Sequence, residues 1–245
     1  MLSGLIAGGI TGAFLGLLGG GGSIVAVPAL VYILGLSAKA AIGTSLVVVG
    51  AASLLAAWNY YLNRSVVVPL AISFGFAGVA GSLVGSKIAQ FIPDSIQLYM
   101  FAATMAIVAL LLMKPQHAQE EVSDGRESAN WPVLAIGVAA GILTGILGVG
   151  GGFIIVPVLV LSLRLPLLKA VGTSLLIIGL NSIAGSISYL PYLQLDFSIA
   201  VFAVATLVFA VLGARLARVI PQERLRGAFA FSLICVSIFM FVKQY

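Results

Sequence analysis

Glycine, threonine and serine occupy the positions where this chain is equipped for chemistry. Two glycine runs, Gly16-Leu-Leu-Gly-Gly-Gly-Gly22 and Gly145-Ile-Leu-Gly-Val-Gly-Gly-Gly152, interrupt otherwise apolar sequence. Glycine permits backbone angles closed to other residues and lets a ligand approach the main chain. The short helix predicted after each run, starting near Ser23 or Phe153, aims N–H groups and a positive dipole end back at the run, an arrangement that suits an anion. The candidate binding residues are therefore Gly19, Gly20, Gly21, Gly22 and Ser23 in the first run and Gly150, Gly151 and Gly152 in the second.

Two further elements, Gly43-Thr44-Ser45 and Gly172-Thr173-Ser174, stand near the start of the next apolar piece, and Asn59 and Asn181 lie further along it. Neutral hydroxyls and amides donate to an anion's oxygens without the desolvation cost of a buried Lys or Arg. Each residue also has a purely structural reading. Gly16 with Gly20, and Gly141 with Gly145, fit the small-xxx-small pattern that lets membrane helices touch. Ser and Thr hydroxyls also bond back to helix carbonyls or cap helix ends.

The elements that position these residues are written twice. Around Pro28 the chain reads GLLGGGGSIVAVPALV and then AIGTSL, and around Pro157 it reads GILGVGGGFIIVPVLV and then AVGTSL. The offset is constant: Pro157 minus Pro28, Gly172 minus Gly43 and Ser182 minus Ser53 all equal 129. Lys87-Ile-Ala-Gln-Phe-Ile-Pro93 still matches Arg215-Leu-Ala-Arg-Val-Ile-Pro221 after a one-residue slip. Apolar composition alone does not keep Gly, Pro, Thr and Ser in register, so the pattern reads as an internal duplication. The copies span 1–113 and 131–245, joined by a polar linker at 114–130, KPQHAQEEVSDGRESAN.

Water is not the main solvent of such a chain. Of its 245 residues 61% are hydrophobic and 8% charged, where a soluble domain carries about a quarter charged. Apolar stretches long enough to cross a hydrocarbon core of about 30 Å recur throughout, without the alternation of a barrel strand. The expected fold is all-α: a polytopic membrane bundle of five apolar pieces per copy, at 2–18, 23–35, 40–62, 66–90 and 95–113, then 131–147, 152–163, 167–190, 197–219 and 223–243. The second piece of each copy is short, which predicts about eight full crossings plus two half-helices or re-entrant segments. Residues 1–18 lack the basic start of a signal peptide and read as a retained helix.

Lys and Arg collect on cytoplasmic loops. If each copy crosses an odd number of times, the second is inverted. With the linker inside, Arg64, Lys114, Arg126, Arg164, Lys169, Arg215, Arg218, Arg224 and Arg226 are then cytoplasmic, against Lys39, Lys87 and Lys243 outside. That nine-to-three division exceeds the eight-to-four division of parallel copies, so inversion is preferred.

The same inventory excludes other classes. The 12 basic residues are scattered at segment ends rather than gathered as a nucleic-acid footprint. The sole histidine, His117, and four of the seven acidic residues lie in the linker, so the expectation is no metal site, no cofactor and no enzyme. No Asp or Glu occurs between Met1 and Ile92, which disfavours coupling through a buried carboxylate. Cys235, the lone cysteine, cannot form an intrachain disulfide.

The blocks Gly12 to Pro28 and Ala41 to Leu46, with their copies Gly141 to Pro157 and Ala170 to Leu175, resemble the TauE/SafE family of sulfite exporters over nearly the whole chain. The resemblance implies a multi-pass permease of the cytoplasmic membrane that carries sulfite, sulfonates such as taurine-derived sulfoacetate, or similar small organic anions. The copies differ where Gly20 becomes Val149 and Ser23 becomes Gly152, which implies an asymmetric site. The expected partners are a small anionic substrate and the lipid bilayer, with a homo-oligomer allowed. A passive anion channel and a non-transporting membrane assembly subunit are the alternatives.

Overall fold

The computed structural model describes residues 2–89, 91–92, 94–113, 131–147, 152–187, 193 and 196–243. These form α1 (Leu2–Leu18), α2 (Gly21–Tyr32), α3 (Ala38–Leu62), α4 (Val68–Ala89), α5 (Asp94–Met113), α6 (Trp131–Leu147), α7 (Gly152–Leu161), α8 (Leu167–Ile187), α9 (Phe197–Leu216) and α10 (Gln222–Lys243), with no strand among the described residues. Three stretches, Ala40–Leu62, Val68–Gly85 and Phe197–Leu216, are long and apolar enough to cross a membrane by length and composition. The linker at 114–130 lies outside the described residues.

Local chemistry sets the ends of these helices. Ser37 caps α3, its side chain accepting from the Ala40 N–H at 3.4 Å. Pro28 and Pro157 lie well inside α2 and α7, and both helices run through them rather than starting or breaking there. Each proline lacks an N–H, so the carbonyl four residues earlier loses its helical donor. After α2 the chain turns at Gly35, φ +73°, and after α7 at Arg164, φ 52°. These residues are 164 − 35 = 129 apart, and the turn bonds recur at the same interval. Leu36 N–H donates to Leu30 O and Leu165 N–H to Leu159 O, both at 3.1 Å. Ala71 N–H donates to Val67 O at 2.9 Å and Ala200 N–H to Asp196 O at 3.0 Å.

Glycine then decides which helices touch. Gly4, Gly8, Gly12 and Gly16 form a bare line along α1, and α9 lies in it. A Cβ on Gly8 would stand 2.4 Å from Phe202 O, on Gly12 2.3 Å from Thr206 O and on Gly16 2.0 Å from Ala210 O, so backbone meets backbone along parallel helices. The α4–α6 pair is built alike: Cβ atoms on Gly141 and Gly145 would meet Gly78 O at 2.2 Å and Ser82 O at 2.4 Å. Lipid offers no hydrophobic drive between helices, so this closeness, with its dispersion and Cα–H···O contacts, is what holds them. The packing reading is therefore the one seen for Gly16, Gly141 and Gly145, whereas Gly20 lies in the break before α2.

Between these pairs α3 packs on α8. Gly50 lies beside Ser182, Gly179 beside Leu54, and Gly172 beside Tyr60. The numbers rise on one helix as they fall on the other, so α3 and α8 run antiparallel. α5 and α10 do likewise, linked by Ser237 Oγ to Ala102 O at 2.9 Å and by Arg226 Nε to Leu112 O at 2.6 Å. The outer surface is apolar too: Phe76, Leu83, Val204 and Val208 are exposed while Leu15, Leu30, Phe74, Phe202 and Leu175 fill the centre. A bundle apolar inside and out suits hydrocarbon as its surroundings.

Candidate substrate site

α1 stops at Leu18. Gly19 takes φ +69°, its N–H bonds Leu15 O at 2.9 Å, and Gly20 precedes the first residue of α2. The break is thus two residues long. Gly21 and Gly22 belong to the helix, so α2 begins before the expected start near Ser23. Packing overrides glycine's poor helix propensity here, because a Cβ on Gly22 would stand 2.6 Å from Leu15 Cβ. Only a bare backbone lets α2 fold back so tightly on α1. Gly20 provides no side chain as a cap, and the first N–H groups of α2 have no carbonyl partners within their own helix.

The carbonyls facing this break are, by contrast, supplied with donors. Tyr60 Oη donates to Gly16 O at 3.0 Å, and Ser174 shares its hydroxyl hydrogen between Gly19 O at 3.0 Å and Val171 O at 2.8 Å. Of the second Gly-Thr-Ser element, Gly172 is a packing residue whose Cβ would meet Ser65 O at 2.2 Å. Thr173 Oγ1 accepts from Val67 N–H at 3.0 Å and fixes the entry to α4. Asn59, one residue from Tyr60, accepts through Oδ1 from Arg218, which follows α9. Gly19, Asn59, Gly172, Thr173 and Ser174 are thereby brought to one end of the bundle.

The remaining candidates are elsewhere. Because α3 and α8 are antiparallel, Gly43, Thr44 and Ser45 lie toward the other end of the pair. Thr44 is sixteen residues before Tyr60, or about 24 Å of helix. Thr44 and Ser45 are buried, and Thr44 Oγ1 has no hydrogen-bond partner. Asn181 adjoins the middle of α3 through its neighbour Ser182, which touches Gly50. Its Oδ1 is buried without a partner, as are Ser53 Oγ and Thr11 Oγ1. Gly152 opens α7, whereas Gly150 and Gly151 lie outside the described residues. No group of three His, Cys, Asp or Glu side chains able to hold a metal occurs among the described residues.

Two participants were missing from the sequence-derived set of binding residues. Neither Tyr60 nor Arg218 is among the candidate binding residues, and Arg218 enters the sequence reading only as a charge for orientation. Nothing local marks either. Their roles arise when α9 and α1 are brought beside the end of α3.

The same end gathers the basic residues. The loop after α3, with Arg64, adjoins the start of α8, with Arg164 and Lys169, through the Gly172–Ser65 contact. Arg215 and Arg218 close α9, and Arg224 and Arg226 open α10 directly after it. Lys87 lies at the far end of α4, a helix that starts at this end.

Comparison with known proteins places these features in a wider group. The profile of the family described as "Sulfite exporter TauE/SafE" matches residues 4–240. A "Probable membrane transporter protein" of Xylella fastidiosa (strain 9a5c) is 34% identical, covering 98% of this chain and 94% of the relative. The "Probable membrane transporter protein YdhB" of Bacillus subtilis (strain 168) is 27% identical, covering 89% and 91% respectively. No solved structure matches the chain.

Proposed function

The chain belongs to the TauE/SafE family of sulfite exporters, and on that premise we propose that it is a secondary carrier moving a small sulfur-containing oxyanion, sulfite or a sulfonate, across the cytoplasmic membrane by alternating access. The observation that carries this reading is the chemistry of the Gly19–Gly20 break. Its neighbouring carbonyls, Gly16 O and Gly19 O, are both bound by hydroxyl donors, while the start of α2 turns N–H groups and a positive dipole end toward it. Two carbonyls are withdrawn and the positive end of the α2 dipole faces the break, which favours an anion over a cation.

The scaffold in this reading is two inverted copies, 1–113 and 131–245, joined by the linker 114–130, with eight full crossings and α2 and α7 as the short segments. Turn bonds repeating 129 residues apart support the duplication, and the antiparallel run of α3 against α8 supports the inversion, since equivalent helices related by an axis in the membrane plane must oppose each other. The end bearing Arg64, Arg164, Lys169, Arg215, Arg218, Arg224 and Arg226 is cytoplasmic by the positive-inside rule. With one Gly-Thr-Ser element toward each end, the carrier presents a half-site to either side in turn.

Flux into proteoliposomes tests the assignment. Saturable transport of sulfite or a sulfonate is the expected result. Absence of flux for every small sulfur oxyanion overturns it, and a steady, non-saturating current replaces the carrier with a channel.

A further inference from the structure

We propose that Arg218 and Asn59 form an oxyanion-binding subsite at the basic end of the bundle, with Arg218 as the residue that selects for anionic substrate; the inference rests on the carrier reading above. Arg218 is half-buried, follows the last turn of α9, and folds back so that its Nε donates to Ala214 O at 3.5 Å. Ala214 is the residue against which α1 ends: a Cβ on Gly16 would stand 2.7 Å from Ala214 N. The guanidinium also donates through Nη2 to Asn59 Oδ1, and its charge acts on the neighbouring Tyr60 hydroxyl, which holds Gly16 O. The cation is thus anchored beside the glycine break rather than free in solvent.

Its partners are all neutral. Among the described residues Arg218 bonds only the Asn59 amide oxygen and a main-chain carbonyl, neither of which cancels its charge. A guanidinium carries five N–H donors in a planar fork, and two such bonds leave donors to spare. Asn59 turns its amide oxygen to Arg218 and so holds one edge of the guanidinium in place. The guanidinium, held by Asn59 and Ala214, presents charge and its unspent donors in one planar fork, the recognition chemistry of a small oxyanion with two or three oxygens.

The duplication makes the subsite one-sided. At the positions equivalent to Arg218 and Asn59 the other copy carries Gln90 and Ser188, by the same offsets of 128 and 129 that relate Lys87 to Arg215 and Pro28 to Pro157. A guanidinium in one copy and a neutral amide at its equivalent in the other give the two faces unequal affinity for an anion.

The test measures anion binding and transport separately, using purified full-length chain with sulfite, sulfate and methanesulfonate as probes and chloride as the control halide. In the wild type the oxyanions raise the melting temperature. Arg218→Gln, which installs the residue of the other copy, is expected to weaken that binding at least about tenfold while its ligand-free melting temperature stays near wild type. In proteoliposomes KM rises correspondingly with kcat little changed, the signature of lost binding rather than lost folding. Arg218→Lys restores part of the affinity, and Asn59→Ala loses less than Arg218→Gln. Equal anion affinity in wild type and Arg218→Gln, or no oxyanion binding by the wild type, overturns the subsite. If the wild type binds oxyanions through Arg218 yet transports no sulfur oxyanion, the subsite stands and the carrier assignment falls.

Discussion

The Ser174 hydroxyl reaches the carbonyl of Gly19, 155 residues earlier in the chain, at 3.0 Å. A residue of α8 thus holds the break between α1 and α2. Ser174→Ala removes the donor and leaves a buried carbonyl short of a partner, a loss of about 1 kcal/mol. We expect a lower melting temperature and reduced sulfite flux. Gly19→Ala is expected to be worse, because at φ +69° a side chain costs roughly 1–2 kcal/mol and its Cβ would also meet Ser174 Oγ at 2.7 Å. Thermal melts in detergent, read beside flux, check the order.

Adjacent glycines of α1 should respond oppositely to the same change. A Cβ on Gly8 would lie 2.4 Å from a main-chain oxygen of α9, whereas on Gly9 it would meet only the Phe209 ring at 3.6 Å. Gly8→Ala is predicted to destabilise by about 2 kcal/mol or more, as overpacking against unyielding backbone does. Gly9→Ala should be tolerated. On the α4–α6 pair Gly141→Ala should behave like Gly8→Ala, and Gly227→Ala, with open space around it, like Gly9→Ala. Yield of folded protein and melting temperature discriminate the four variants.

Thr44 and Thr173 are equivalent in sequence and different in circumstance. Thr173 Oγ1 receives the Val67 N–H, whereas Thr44 Oγ1 is buried with no partner. Thr173→Val therefore strands a main-chain donor and should cost about 1 kcal/mol, whereas Thr44→Val removes an unsatisfied oxygen and should leave stability unchanged or raise it. Equal losses in both variants would contradict this asymmetry. If Thr44 also contacts substrate, Thr44→Val raises KM for sulfite without lowering the melting temperature.

Inversion has a direct experimental signature in the two left-handed turns. Gly35 and Arg164 are exposed and occupy equivalent turns, 129 residues apart. In a Cys235→Ser background, Gly35→Cys should react with an impermeant thiol reagent from outside the cell and Arg164→Cys only from the cytoplasmic side. Labelling of both from one side would mean parallel copies.

The helices themselves were largely legible. The expected piece 40–62 is the helix Ala38–Leu62, 95–113 is Asp94–Met113, and 131–147 is Trp131–Leu147, because uninterrupted apolar length in a membrane chain leaves the backbone little alternative to helix. The second piece was expected at 23–35 and is found at Gly21–Tyr32. Its start was hidden because a glycine run reads as a break, whereas Gly22 is glycine to make room for Leu15, a tertiary cause with no local sign. Its end was hidden because Gly35, set in an apolar run, reads as helix until the left-handed turn is seen. The same limit applied to the site. Hydroxyls at Thr173 and Ser174 announced themselves by repetition, but the division of labour among Gly172, Thr173 and Ser174 depends on what α1 and the loop after α3 place against them. Arg218 had looked like one more loop charge, since its meeting with Asn59 joins residues 159 apart.

The glycine line of α1 also constrains the order in which a growing chain can be assembled. Gly137 finds Phe74 and Ala77 only about sixty residues back, so α4 and α6 can dock while the rest of the protein is still being translated. Gly8 must await Phe202, and 202 − 8 = 194 residues separate them. Until α9 enters the bilayer, α1 carries its bare backbone groove against lipid with no mate. Nascent chains stalled before α9 should therefore be the ones that membrane quality control removes, and the α1–α9 contact is the closing step of biogenesis rather than its nucleus.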